Sequence, residues 1–115
     1  MIQVTARCQI NPDEIVFFEA YVNYTIAHYS NGRRQVIVKP LKHIQMYVEF
    51  MGFYRIHKSY LINLDYVKEK PDAMKLIELK DNATLTVSRR KIAGLRKKLK
   101  QVQLQQRQEN RKFEI

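Results

Sequence analysis

Apolar residues along the chain alternate with polar ones at a two-residue period over most of the length and shift to a helical period in two places. Residues 2–10 and 15–20 are rich in β-branched and aromatic types, and Asn11-Pro12-Asp13 between them is turn-forming, which predicts two short strands. From Asn23 to Tyr29, the residues Tyr24, Ile26 and His28 share one face of a third strand. Ser30-Asn31-Gly32 then supplies a reversal into a fourth strand at Gln35–Lys39. The period changes at Pro40, which suits a first helical position: Leu41, Ile44 and Val48 recur at helical spacing and Gly52 can end the segment, so an amphipathic helix is expected over about residues 41–50.

Strands are expected again at 60–67 and 75–80, the latter joined through Asp81-Asn82 to the strict alternation of Ala83, Leu85 and Val87. Ser88 is placed to cap a final helix whose Ile92, Leu95, Leu99 and Val102 form a narrow seam. Beyond it the sequence turns Gln-rich and charged, so residues 103–115 read as a fraying helical or disordered tail on a domain spanning 1–102. The fold class is therefore mainly β, α+β by content: small antiparallel sheets with one short amphipathic helix and a C-terminal helix. A chain of 115 residues with 45% hydrophobic and 28% charged side chains has enough material for one core, and no internal repeat or linker divides it.

Charge narrows the partners. The formal net charge is +10 and the pI near 9.9, which suits a polyanion. Residues 1–87 carry 11 basic and 9 acidic groups, whereas residues 88–115 carry 10 and 2, so the surplus sits in the C-terminal quarter. A lone Cys8 forms no intrachain disulfide and reads as a small buried hydrophobe of a reducing compartment. No apolar run approaches the ~20 residues of a membrane span, and a cytoplasmic protein without membrane partners is expected. His28, His43 and His57 fall on separate elements without metal-ligand spacing, and no phosphate loop or nucleophile elbow accompanies Ser59 or Ser88. Neither an enzyme nor a cofactor or metal is expected.

Three segments concentrate the candidate chemistry. In Phe53-Tyr54-Arg55-Ile56-His57-Lys58-Ser59-Tyr60-Leu61-Ile62-Asn63, two readings stand side by side: a loop entering a strand with solvated polar residues, or a compact set of donors (Arg55, His57, Lys58, Ser59) for phosphate oxygens or base edges. In Val87-Ser88-Arg89-Arg90-Lys91, cations stand at the positive end of a helix dipole, which is unfavourable in isolation. A bound phosphate would reconcile that placement; the competing reading is a simple solvated charge run. In Phe18 to Thr25, Tyr and Asn are equally ordinary strand and turn residues.

Taken in order and at these separations, the three segments resemble the LytTR family of DNA-binding domains. Glu19-Ala20 with Asn23-Tyr24-Thr25 meets the family's first pattern, Phe53 to Asn63 its Phe-x-Arg-Ile-His-Lys-Ser-Tyr-Leu-Ile-Asn pattern, and Val87-Ser88-Arg89-Arg90 its closing one, over about residues 13–100. The resemblance implies a bacterial response-regulator output domain that inserts loops, not a helix, into the major groove of double-stranded promoter DNA. It places base contacts on Asn23, Lys58 and Arg90, a chemically coherent set because Asn favours adenine while Lys and Arg favour guanine. Tyr24, Arg55, His57, Ser59, Ser88, Arg89 and Lys91 are then phosphate contacts or loop supports, and Asn63 pins a backbone turn. It further implies tandem direct repeats as the target, with self-association on DNA. Family members commonly carry an N-terminal receiver or membrane sensor, so this chain is expected either to stand alone or to be a piece of a longer regulator.

Two other functions fit parts of the sequence. Tyr21, Tyr24, Tyr54 and Tyr60 on a basic-rimmed sheet could stack single-stranded bases, making an RNA or single-stranded nucleic-acid module the main alternative. The basic terminal helix could instead meet a protein or an anionic lipid, although its seam is better suited to covering the β domain.

Overall fold

The structure, a computed structural model, describes residues 1–68 and 75–112, with side chains of the final helix placed as far as Leu104. Strands β1 (Ile2–Thr5) and β2 (Cys8–Ile10) form a hairpin. The central sheet contains β3 (Ile15–Tyr21), β4 (Tyr24–Tyr29), β5 (Arg34–Ile37), β6 (Phe53–His57) and β7 (Tyr60–Asn63), all antiparallel, in the order β5-β4-β3-β7-β6. Helix α1 (Leu41–Val48) connects β5 to β6. A second hairpin, β8 (Leu76–Glu78) with β9 (Thr84–Thr86), leads into α2 (Ile92–Lys112).

Four consecutive apolar residues, Ile15 to Phe18, are all buried, as only a strand covered on both faces allows. A bulge between Ile15 and Phe17 divides them: Ile15 and Phe18 enter one core, Val16 and Phe17 the other. The first core holds Val4 and Ile10 of the β1–β2 hairpin, Ala27 and Tyr29 of β4, and Leu41, Ile44 and Val48 of α1. The second holds Ile56 and Ile62, Ile77, Leu79, Leu85 and Val87 around the second hairpin, and Leu95 and Leu99 of α2. The sheet is thus the middle of three layers.

Turn chemistry accounts for most reversals. Gly32 has φ +87 and Asn31 accepts from the Arg33 N–H at 2.9 Å, closing the β4–β5 turn. Asn82 adopts φ +68 while Asp81 accepts from the Ala83 N–H at 3.0 Å, closing the β8–β9 turn.

Several boundaries differ from expectation. Residues 2–10 are a hairpin, not one strand, because the Thr5 hydroxyl accepts from the Arg7 N–H at 3.2 Å and makes a turn without Gly or Pro. Pro40 is the cap one position before the helix, which ends at Val48 and continues as a 3-10 turn to Met51 before Gly52 reverses the chain at φ +84. Phe53–His57, expected as loop, is an edge strand, and the 60–67 strand stops at Asn63, where a 3-10 turn over Leu64–Tyr66 begins. Cys8 is half-buried, not buried, and its sulfur accepts from Gln35 Nε2 at 3.3 Å. The last three residues of the expected tail, 113–115, lie outside the described residues; α2 runs to Lys112.

Candidate nucleic-acid interface

Two backbone hydrogen bonds gather the three segments at one end of the sheet. The Ala20 N–H, where β3 approaches its turn, donates to the Ser59 carbonyl at 2.8 Å, so the Val22-Asn23 turn lies beside the Lys58-Ser59 turn. The Ser88 N–H donates to the Ile56 carbonyl at 2.8 Å and ties the Ser88–Lys91 segment to the same end of β6. Asn23, Lys58, Arg89 and Arg90 are exposed there; Ser59, Ser88 and Lys91 are half-buried.

Each turn is held from behind. In the second, Arg55 Nε donates to the His57 carbonyl at 2.8 Å and Nη2 to the Lys58 carbonyl, while Nη1 reaches Gln45 Oε1 on α1 at 3.0 Å. Desolvation by burial pulls the Arg55 pKa below its ordinary value. Nε and Nη2 are thus engaged with the turn itself and Nη1 with α1. His57 Nδ1 accepts from the Ser59 N–H at 3.1 Å, which leaves Nε2 as the N–H of the neutral ring. Both residues serve as supports of the Lys58 turn.

The first turn is anchored by its strands. Glu19 Oε1 and His28 Nε2 stand 3.0 Å apart across β3 and β4, and the His28 ring stacks on Phe17 at 4.1 Å. Thr25 is fully buried with its hydroxyl donating to the Lys39 carbonyl at 2.8 Å. Tyr21 pairs with Tyr24 as the last rung, leaving Val22 and Asn23 as a two-residue tip. Asn63, 4% exposed, donates to the Ile15 carbonyl at 2.9 Å and accepts from the Asp65 N–H at 3.1 Å. It is a backbone pin.

The third segment corrects one expectation. Ser88 makes no side-chain cap; instead Arg89–Lys91 form a 3-10 turn, with the Lys91 N–H donating to the Ser88 carbonyl at 2.8 Å, before α2 begins at Ile92. No acidic residue occupies the first turn of α2, so Arg89, Arg90 and Lys91 meet its positive end uncompensated from within that helix.

Two of the four tyrosines that could stack bases are half-buried. Tyr54 and Tyr60 pack against the second core, Tyr60 edge-on to Phe17 at 6.3 Å, and only Tyr21 and Tyr24 are exposed. Among the described residues, no group of three His, Cys, Asp or Glu side chains is arranged to hold a metal ion. No described helix is long and apolar enough to cross a membrane.

The geometry defines a covered β-scaffold that presents three loops at one end. A profile of the LytTr DNA-binding domain matches residues 6–100, and the chain belongs to the LytTR family of DNA-binding domains. Among solved structures, the LytTr DNA-binding domain of a Bacillus cereus protein described as a methyl-accepting/DNA response regulator is similar in fold. The two share 19% identity at a TM-score of 0.68, over 83% of this chain and 91% of that one. No curated protein matches.

Proposed function

We propose that this domain binds duplex DNA with sequence preference, as the output module of a bacterial transcription regulator, by setting its three loops into the major groove. The observation that carries this reading is the pair of backbone clamps, Ala20 to Ser59 and Ser88 to Ile56, which assemble separate loops into one cationic end. Asn23, Lys58 and Arg90 read base edges; Ser59, Ser88, Arg89, Lys91 and Tyr24 serve phosphates, while Arg55 and His57 hold the second loop. A phosphate at the start of α2 would offset the crowding of three cations at a helix N-terminus. Tandem direct repeats, each taking one copy of the domain in the cytoplasm, are the expected target.

Single-stranded nucleic acid fits less well, because a stacking platform needs an open sheet face and this sheet carries a core on each side. Selection of bound duplexes from a random pool tests the proposal. A preferred site is expected, at which Arg90→Ala loses about 1–3 kcal/mol at one base position. Lys97→Ala, on the exposed side of α2, should leave preference unchanged. Equal, sequence-blind losses in both variants, or displacement by single-stranded RNA as readily as by duplex, would overturn it.

A further inference from the structure

The tip of the first loop contains a residue that the scaffold gives no reason to be there. Val22 has φ +55, in the left-handed region, and is 80% exposed. The other non-glycine residue at positive φ among those described is Asn82, a type that tolerates the conformation, whereas a β-branched residue is the least suited to it. A two-residue hairpin tip with a positive first φ favours glycine there. Val22 therefore meets an adverse backbone conformation without burying its side chain.

We propose that Val22 is a specificity-determining residue that packs its side chain against the C5-methyl group of a thymine in the major groove, one base from the position read by Asn23. This rests on the duplex reading given above. The methyl of thymine is the apolar group that the base pairs offer to the major groove, and an apolar side chain long enough to reach it packs against it. Consecutive Cα atoms lie about 3.8 Å apart, close to the about 3.4 Å spacing of successive bases on a strand, a match that lets neighbouring tip residues reach neighbouring bases. The setting is also right: the Val22-Asn23 tip carries no charge of its own, and the Ala20 to Ser59 bond holds it beside the Lys58 turn, whose cation would bring it to the phosphates. Tyr21 and Tyr24, exposed on either side, complete an uncharged tip on an otherwise cationic end.

The test replaces each thymine of the selected site in turn by deoxyuridine, which differs only in lacking that methyl. Wild-type protein should lose about fourfold in affinity at one thymine adjoining the base whose identity ceases to matter in Asn23→Ala, the worth of about one buried methyl group. Val22→Ala should bind the unmodified site about fourfold more weakly and lose the sensitivity to deoxyuridine at that position. Val22→Gly controls for folding: it should raise the Tm by relieving the turn and still lose the thymine sensitivity. Val22→Ala binding as tightly as wild type, or a deoxyuridine loss that persists in it, overturns the inference while leaving the duplex reading intact. A protein that selects no duplex overturns both.

Discussion

Arg55 shows how a residue's role depends on what its backbone does next. It lies in a run of donors, and by type alone it is as well suited to DNA as Lys58 is. A bulge between Arg55 and His57 sets two residues against one on β7 and swings the chain so that the guanidinium faces the carbonyls of its own turn. Arg55→Lys keeps the charge but cannot reproduce three bonds in a planar fork. It is expected to lower stability by about 1–3 kcal/mol in urea unfolding and to weaken DNA binding without altering base preference. A changed preference with unchanged stability would place Arg55 on the DNA instead. Other single residues were readable in advance: the turn roles of Asn31, Asp81 and Asn63 follow from short side chains that bond local backbone groups, whatever the tertiary fold. Val22 was not, because nothing in the order of residue types announces a left-handed valine.

At the level of elements, the helices were legible from their periodicity, since Leu41, Ile44 and Val48 face the first core and Leu95 and Leu99 the second, whereas their starts were not, because neither Pro40 nor Ser88 stands where its residue type alone would put it. The β1–β2 hairpin was not, since its turn is built by the Thr5 hydroxyl, with no Gly or Pro to mark it. Strand β6 was hidden because it is an edge strand with polar residues and a bulge, which breaks the alternation that signals a strand. How β6 receives α2 depends on Gly94. A Cβ there would collide with the Tyr54 hydroxyl and lie 3.1 Å from Cζ of the ring. Gly94→Ala would gain about 1 kcal/mol of helix propensity. We expect the clash with a half-buried ring packed against the second core to exceed that gain, for a net loss of about 1–2 kcal/mol by urea unfolding. Tyr54→Phe removes the colliding oxygen, so Gly94→Ala in that background should be neutral or stabilising; equal effects in the two backgrounds would mean that the helix does not rest on Tyr54.

For the whole molecule, the sequence revealed how much charge there is but not which part of it would face DNA. Most of the surplus lies from Ser88 onward, and most of that on α2, whose Leu95 and Leu99 tether it to the second core while Arg96, Lys97 and Lys98 face solvent. The loops carry fewer cations but are held together by the backbone clamps. These two populations act differently on affinity, because only cations that displace condensed counterions from phosphates enter the salt dependence, whereas distant ones are screened within about 10 Å at 0.1 M salt. With about six phosphates neutralised, log K should fall against log salt with a slope near −5. Arg89→Gln combined with Lys91→Gln should flatten it by about two, one for each lost contact. Lys97→Gln combined with Lys98→Gln removes the same formal charge and should leave the slope within about one of its original value. Titrations across 50–200 mM salt would separate the cases. If the helix pair flattened the slope as much as the loop pair, the DNA would lie along α2, and the three-loop end would not be the binding surface.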